Sequence, residues 1–253
     1  MGYWGEVVYE PISISPRVLE ALHLPSTATL TAVLAKHGLH HTFLQGVRSL
    51  RPGTRLVGEA FTLRYIPARE DLDHTGTVDN LTDPQRVAIE QVGPGQVLVI
   101  DARGDVRAGT LGAILATRLL MRGAAGVVSD GSFRDTPEIA ASGLPAFARG
   151  AHGAANKTIH HPTDFQLPVA CGGVAVYPGD IVVGDDEGVV VIPRHLAAQV
   201  AEAAVAQEQR EEFILTKVQA GASIVGVYPP DEATLREYEE WRARRRESGA
   251  DDP

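Results

Sequence analysis

Three short apolar runs separated by helix-length stretches constrain the fold of this chain more than any other feature of it. Val97-Leu-Val-Ile100, Gly126-Val-Val128 and Ala146-Phe-Ala148 have the length and composition of buried strands. Residues 110–121 lie between the first two and read as a helix ended by Arg122-Gly123. Residues 137–142 read as a shorter helix before the third. Strand, helix, strand, helix, strand with short connections predicts a parallel layer in an α/β fold.

The flanking segments extend this frame. Residues 26–38 read as a helix with Ser26 near its N-cap, Gly38 past its end, and Leu30, Val33 and Leu34 on one apolar face. Residues 55–66 read as one or two strands, 71–84 (with Gly76 and Asn80) as a loop, 85–91 as a short helix, and Gly93-Pro94-Gly95 as a turn. After a loop holding His160 and His161, four short apolar segments within 169–192 are joined by Pro178-Gly-Asp180 and the 184–188 turn, which predicts antiparallel pairing. A long helix over about 193–220, an apolar stretch at 221–228 and a charged helix over 231–246 complete the reading. With no fixed-period repeat and no low-complexity linker, residues 1–253 are expected to form one mixed α/β domain with helical ends.

The formal charge of −9 argues against a general nucleic-acid binder, because phosphate neutralisation needs a basic surface. A small anionic substrate stays open, since one arginine and a metal outweigh the average field locally. The run Arg242, Arg244, Arg245, Arg246 stands beside Glu237, Glu239, Glu240 and Glu247, and reads as a solvated helix end. Cys171 is the sole cysteine, so no internal disulfide forms and a reducing compartment is expected; beside Gly172 and Gly173 it reads as a small apolar filler. The first residues, Met-Gly-Tyr-Trp-Gly-Glu, lack the pattern of a secretory signal, and Gly2 lacks that of a myristoylation site. No run approaches about 18 apolar residues. A soluble cytoplasmic protein with no membrane partner is the expectation.

Chemistry concentrates in the centre. Gly109 and Gly112 precede a helix start, where free N–H groups and the positive helix end suit a carboxylate, and the two glycines let backbone approach a ligand. Arg134-Asp135 follows a buried strand through Asp130-Gly131, at the strand end where open α/β sheets place ligands. In a loop, the arginine can fork onto a carboxylate while the aspartate ligates a hard divalent cation. A structural Arg–Asp pair, or a helix cap before Pro137, is the plainer alternative. Asp180, Asp185, Asp186 and Glu187 resemble a calcium-type cluster but read better as turn chemistry, and His160 and His161 read better as structural residues.

The stretch Arg122-Gly-Ala-Ala-Gly126-Val-Val-Ser-Asp130-Gly-Ser-Phe-Arg134-Asp135-Thr-Pro-Glu138 resembles the signature of RraA-like proteins and class II 4-hydroxy-4-methyl-2-oxoglutarate aldolases. The likeness runs on through Cys171-Gly-Gly-Val-Ala-Val-Tyr-Pro-Gly-Asp180-Ile-Val-Val-Gly-Asp185-Asp-Glu-Gly-Val-Val-Val-Ile-Pro193, within a core at roughly residues 27–230. It implies a swivelling-type α/β/β domain, assembly as a homotrimer or a dimer of trimers with interfacial sites, and a Mg²⁺- or Mn²⁺-dependent lyase acting on a small 2-oxo acid by retro-aldol cleavage or oxaloacetate decarboxylation. By position, the resemblance assigns the metal to Asp135 and the substrate carboxylate or enolate oxygen to Arg134. The N–H groups of Gly112, Ala113, Ile114 and Leu115 would hold the pyruvoyl carboxylate. A second acidic contributor would come from a neighbouring subunit, sought here among Glu208, Glu211 and Glu212. One departure stands out: the aldolase pattern places an aspartate, holding metal-bound water, where this chain has Ala113. Two other readings follow from the same resemblance: a non-catalytic regulator that binds a ribonuclease or another protein, and a hydratase or lyase acting on a sugar-acid-derived 2-oxo acid.

Overall fold

The computed structural model describes residues 13–73 and 78–247. The expectations for the N-terminal residues and for the part of the 71–84 loop around Gly76 lie outside that range. In chain order the elements are α1 (Pro16–Ala21), α2 (Thr27–Lys36), β1 (Arg48–Ser49), β2 (Leu56–Pro67), α3 (Pro84–Gln91), β3 (Gln96–Asp101), α4 (Ala113–Met121), β4 (Gly126–Phe133) and α5 (Thr136–Ala141). There follow β5 (Ala146–Ala151), β6 (His160–Phe165), β7 (Val169–Cys171), β8 (Val174–Val176), β9 (Ile181–Asp185), β10 (Gly188–Ile192), α6 (Ala197–Gln219) and α7 (Glu232–Glu247).

The predicted parallel layer is β2, β3, β4 and β5, paired in that order with Val97 opposite Gly126 and Val127 opposite Ala146. The 55–66 segment is one twelve-residue strand, because both ends of β2 find antiparallel partners: β9 at Leu56–Glu59 and β6 at Leu63–Pro67. The segment after α2 then seals the sheet. Leu44 N–H donates to Val189 O and Val191 N–H donates to Thr42 O on one edge; Arg48 and Ser49 pair with β5 on the other. One stretch of chain thus covers both open edges and leaves the eight-stranded sheet nearly closed.

Side chains alternate along the strands. Leu98, Ile100 and Val127 pack outward with Ala88, Ile89, Leu119 and Ile139 of α3, α4 and α5. Val97, Val99 and Val128 point to the other face and pack with Phe147, Cys171, Val174 and Val189. Each fully buried valine, leucine, isoleucine or phenylalanine among them contributes about 1.5–3 kcal/mol. Cys171 is an inert filler in this second cluster, its thiol pushed up by burial.

Three expectations need correction. His160 and His161 lie in strand β6 rather than a loop. The helix expected over 110–121 begins at Ala113: Gly109 bridges Ser132 and Ala155, and Thr110 N–H donates to Ser132 O at 2.7 Å, so 109–111 runs as extended chain along β4. The long helix begins at Ala197, after a 3-10 turn at Arg194–Leu196.

Candidate active site

Residues 109–112, the end of β4 and the start of α3 line one open cleft of about 300 Å³, joined by Ala155, Asn156 and Lys157. The extended run through Gly109 and Thr110 feeds directly into the N-terminus of α4, so the first turn of that helix opens into the cleft. The N–H groups of Ile114 and Leu115 fall among the first-turn donors that no intrahelical carbonyl can satisfy.

Behind this loop sits a buried polar brace. The Gln85 side chain donates to Thr110 O (2.6 Å) and accepts from Asn156 Nδ2 (3.0 Å), which fixes the orientation of its amide. The Tyr65 hydroxyl donates to the same carbonyl at 3.2 Å, and burial raises its pKa so that it stays a donor at any physiological pH. Gln85 and Asn156 carry no signal in the sequence beyond being polar, because only the tertiary fold brings α3, β2 and residue 156 behind one loop.

Arg134 and Asp135 stand at the carboxyl end of β4, as the sequence predicts. Both structural alternatives for them fail. Among the described residues neither forms an ion pair, and the buried Nε of Arg134 has no hydrogen-bond partner. Asp135 occupies the N-cap position of α5 but makes no side-chain cap there. Its backbone is left-handed, at φ 53° and ψ 40°, which costs a non-glycine residue about 1–2 kcal/mol. That conformation turns the carboxylate toward α4, where Oδ2 accepts from Ala113 N–H at 3.2 Å. Of the four N–H groups at 112–115, the one at Ala113 is therefore already engaged by Asp135.

The two glycines also leave space that neighbouring side chains occupy. A Cβ on Gly109 would lie 2.3 Å from Arg134 Cγ and 2.8 Å from its backbone nitrogen; one on Gly112 would lie 2.9 Å from Asp135 Oδ2. They make room for the side chains of Arg134 and Asp135. Ala113 itself is half-buried, with its methyl against the α3–α5 core.

Other motif residues brace the fold. Asp130, its carboxyl raised by burial, accepts from the N–H groups of Ala102, Gly104 and Gly172. Arg122 donates to Val92 O at 2.8 Å. Asp180 accepts from Tyr177 N–H and Asp185 from Glu187 N–H within their turns. Asp180 also accepts from Arg194 N–H, Asp185 from Thr27 N–H and Oγ1 at the start of α2, and Asp186 from Gly53 N–H, contacts that tie distant segments together. His160 is buried against Tyr65, its pKa lowered by burial, and His161 pairs with Asp73 at 2.6 Å; neither lines the cleft. Glu208 accepts from Ser26 N–H at 3.4 Å, Glu211 from Gln207 Nε2 at 2.9 Å, and Glu212 from Arg245 at 2.6 Å, all away from the cleft of their own chain. The C-terminal arginines pair largely with glutamates, as expected of a solvated helix end.

Comparison with known proteins settles the family. The model of the RraA-like family, described as Aldolase/RraA, matches residues 26–191. This chain belongs to the RraA-like family. A protein of Halalkalibacterium halodurans, provisionally named a 4-hydroxy-4-methyl-2-oxoglutarate aldolase, is 37% identical over 166 residues, covering 66% of this chain and 73% of its own length. Protein DlpA of Legionella pneumophila is 27% identical over 209 residues, and the match spans 83% of this chain but only 33% of that protein. Among solved structures, Streptomyces coelicolor RraAS2, described as an unusual member of the RNase ES inhibitor RraA family, is 35% identical with a TM-score of 0.71, covering 79% of this chain and 96% of its own. An uncharacterized Pseudomonas syringae protein superposes with a TM-score of 0.74 at 31% identity, covering 85% and 98%. Among the described residues no helix is long and apolar enough to cross a membrane.

Proposed function

We propose that this RraA-like chain is a divalent-metal-dependent lyase that cleaves or decarboxylates a small 2-oxo acid. The observation that carries this reading is the pairing, in one cleft, of an unpartnered Arg134 guanidinium with an Asp135 carboxylate withdrawn from its capping role. The aldolase name of the Halalkalibacterium relative supports the reaction class.

The donor set fits a hard, hydrated cation. Asp135 is exposed, and no group of three acidic, histidine or cysteine side chains assembles around it among the described residues. One carboxylate suits Mg²⁺ or Mn²⁺, ions that keep several waters and take substrate oxygens for the rest. Bound there, such an ion supplies Lewis-acid stabilisation of an enolate. The protein's own part is to orient. The Arg134 fork grips a carboxylate or enolate oxygen, the Ile114 and Leu115 N–H groups receive the other end of the 2-oxo acid head, and the brace at Gln85 holds the loop that presents them. No lysine stands in the motif, and the one that lines the cleft, Lys157, is held by Asp83 at 3.2 Å, which speaks against Schiff-base chemistry there.

Within this reading the chain works as a homotrimer or a dimer of trimers, with Glu208 of one subunit near the cleft of the next. Ile114 at 85% and Met121 at 68% exposed leave the outer face of α4 uncovered beside the cleft, which suits a subunit contact. Light scattering at micromolar concentration should give a trimer or hexamer; a strict monomer would remove Glu208 from the site. Turnover of oxaloacetate with Mn²⁺, lost on chelation, tests the lyase itself. A second reading, a non-catalytic regulator that binds a ribonuclease, is favoured by Ala113 and by the RraAS2 neighbour. Absence of turnover together with inhibition of a ribonuclease would decide for it.

A further inference from the structure

The charge inventory of the cleft does not close on Arg134 and Asp135. Arg86 also lines it, from the first turn of α3. Its Nε is buried without a hydrogen-bond partner, and its guanidinium has no ion pair among the described residues. The nearest carboxylate in sequence is already committed: Asp83 caps α3 through Oδ1, at 3.0 Å from Gln85 N and 3.2 Å from Arg86 N, while its Oδ2 pairs with Lys157 at 3.2 Å. Gln85 is spent on Thr110 and Asn156. Two guanidiniums therefore face one cleft in which Asp135 is the only carboxylate not already neutralised, among the described residues.

Among the described arginines, only these two combine a buried Nε that has no hydrogen-bond partner with the lack of any ion pair; Arg55, the third with such an Nε, is paired with Asp185. Partly buried cations repel one another and cost desolvation unless an anion joins them. A ligand with one carboxylate answers only one of the two.

We propose that Arg86 is a specificity-determining residue that receives a second, distal carboxylate of the substrate, while Arg134 and the first turn of α4 hold the 2-oxo acid head. This rests on the 2-oxo acid reading above and names the residue that would meet the second carboxylate of a dicarboxylic 2-oxo acid such as oxaloacetate. A planar guanidinium presents paired N–H donors to a carboxylate, so Arg86 selects for that group and not merely for chain length.

The test is calorimetric binding, in Mg²⁺, of pyruvate, 2-oxoglutarate and 2-oxopentanoate; the last two share a chain length and differ in the distal carboxylate. The unmodified chain should bind 2-oxoglutarate about tenfold or more tighter than 2-oxopentanoate. Arg86→Gln should abolish that preference and change pyruvate affinity less than about twofold, whereas Arg134→Lys should weaken all three. Arg86→Lys, which keeps the charge, should retain part of the preference and so guards against misfolding as the cause. Equal losses for all three ligands in Arg86→Gln, or an unchanged preference, overturn the proposal and leave the 2-oxo acid reading standing. An unmodified chain that binds none of the three overturns both.

Discussion

Arg134→Lys should weaken pyruvate and oxalate binding by roughly tenfold or more, about 1.5–3 kcal/mol for hydrogen bonds to a charged group. Lysine keeps the charge but loses the planar fork, and its flexible stem cannot hold two donors in one plane. The structural context makes the expectation sharp. Arg134 has no carboxylate to neutralise within the chain, so its substitution breaks no ion pair among the described residues and should leave the melting temperature nearly unchanged. Unchanged oxalate affinity by calorimetry would return Arg134 to a packing role. Asp135 gives the complementary result. Asp135→Asn should abolish metal-dependent turnover, because the carboxylate that would hold the metal is gone. Asp135→Gly should abolish it as well while melting at the same temperature or higher, since glycine takes the left-handed conformation at φ 53° without penalty. A melting temperature that falls in Asp135→Gly would mean that the Ala113 contact stabilises the fold more than the backbone strain costs it.

Ala113→Asp should restore or raise metal-dependent oxaloacetate decarboxylation by about 10–100-fold, the usual weight of a residue that supports a metal's ligands. Residue 113 is the first of α4, where the helix dipole tolerates a carboxylate by about 0.3–1 kcal/mol. Its backbone N–H contacts Asp135, and its methyl packs against the α3–α5 core, so a carboxylate there must turn out of that core to reach the ion that Asp135 would hold. Two carboxylates so placed repel without a cation and cooperate with one. Mn²⁺ affinity should therefore rise along with turnover, and Asp135→Asn in the same background should remove both. If Ala113→Asp folds, binds Mn²⁺ and turns over no 2-oxo acid, the lyase reading fails and the regulator reading takes its place. If the unmodified chain is already fast, the substitution is no lesion and another group moves the proton; Glu208 of a neighbouring subunit is then the first to test, because His161 is held by Asp73 away from the cleft.

Local sequence determined a large part of this protein. The apolar runs at 97–100, 126–128 and 146–148 became three neighbouring parallel strands, because alternation with short helices leaves few other arrangements. Ser26 capped α2, Gly123 ended α4, and Asp180 and Asp185 accepted from Tyr177 and Glu187 N–H within their own turns, effects that act within a few residues. The Arg134-Asp135 dipeptide was legible for the same reason: its place after a strand fixes which end of the sheet it occupies.

What local sequence could not supply were relations between distant segments. That 109–111 runs as extended chain depends on Ser132 and Ala154 offering it hydrogen bonds, which outweigh the helical periodicity of 110–121. His160 belongs to a strand because the far end of β2 needed an antiparallel partner. The roles of Gly109 and Gly112 are set by atoms of Arg134 and Asp135 more than twenty positions away in sequence. Arg86, Gln85 and Asn156 enter the cleft only once α3 packs against β6 and α4. An unpaired guanidinium is visible only when every possible partner has been placed, and that is a property of the tertiary structure alone.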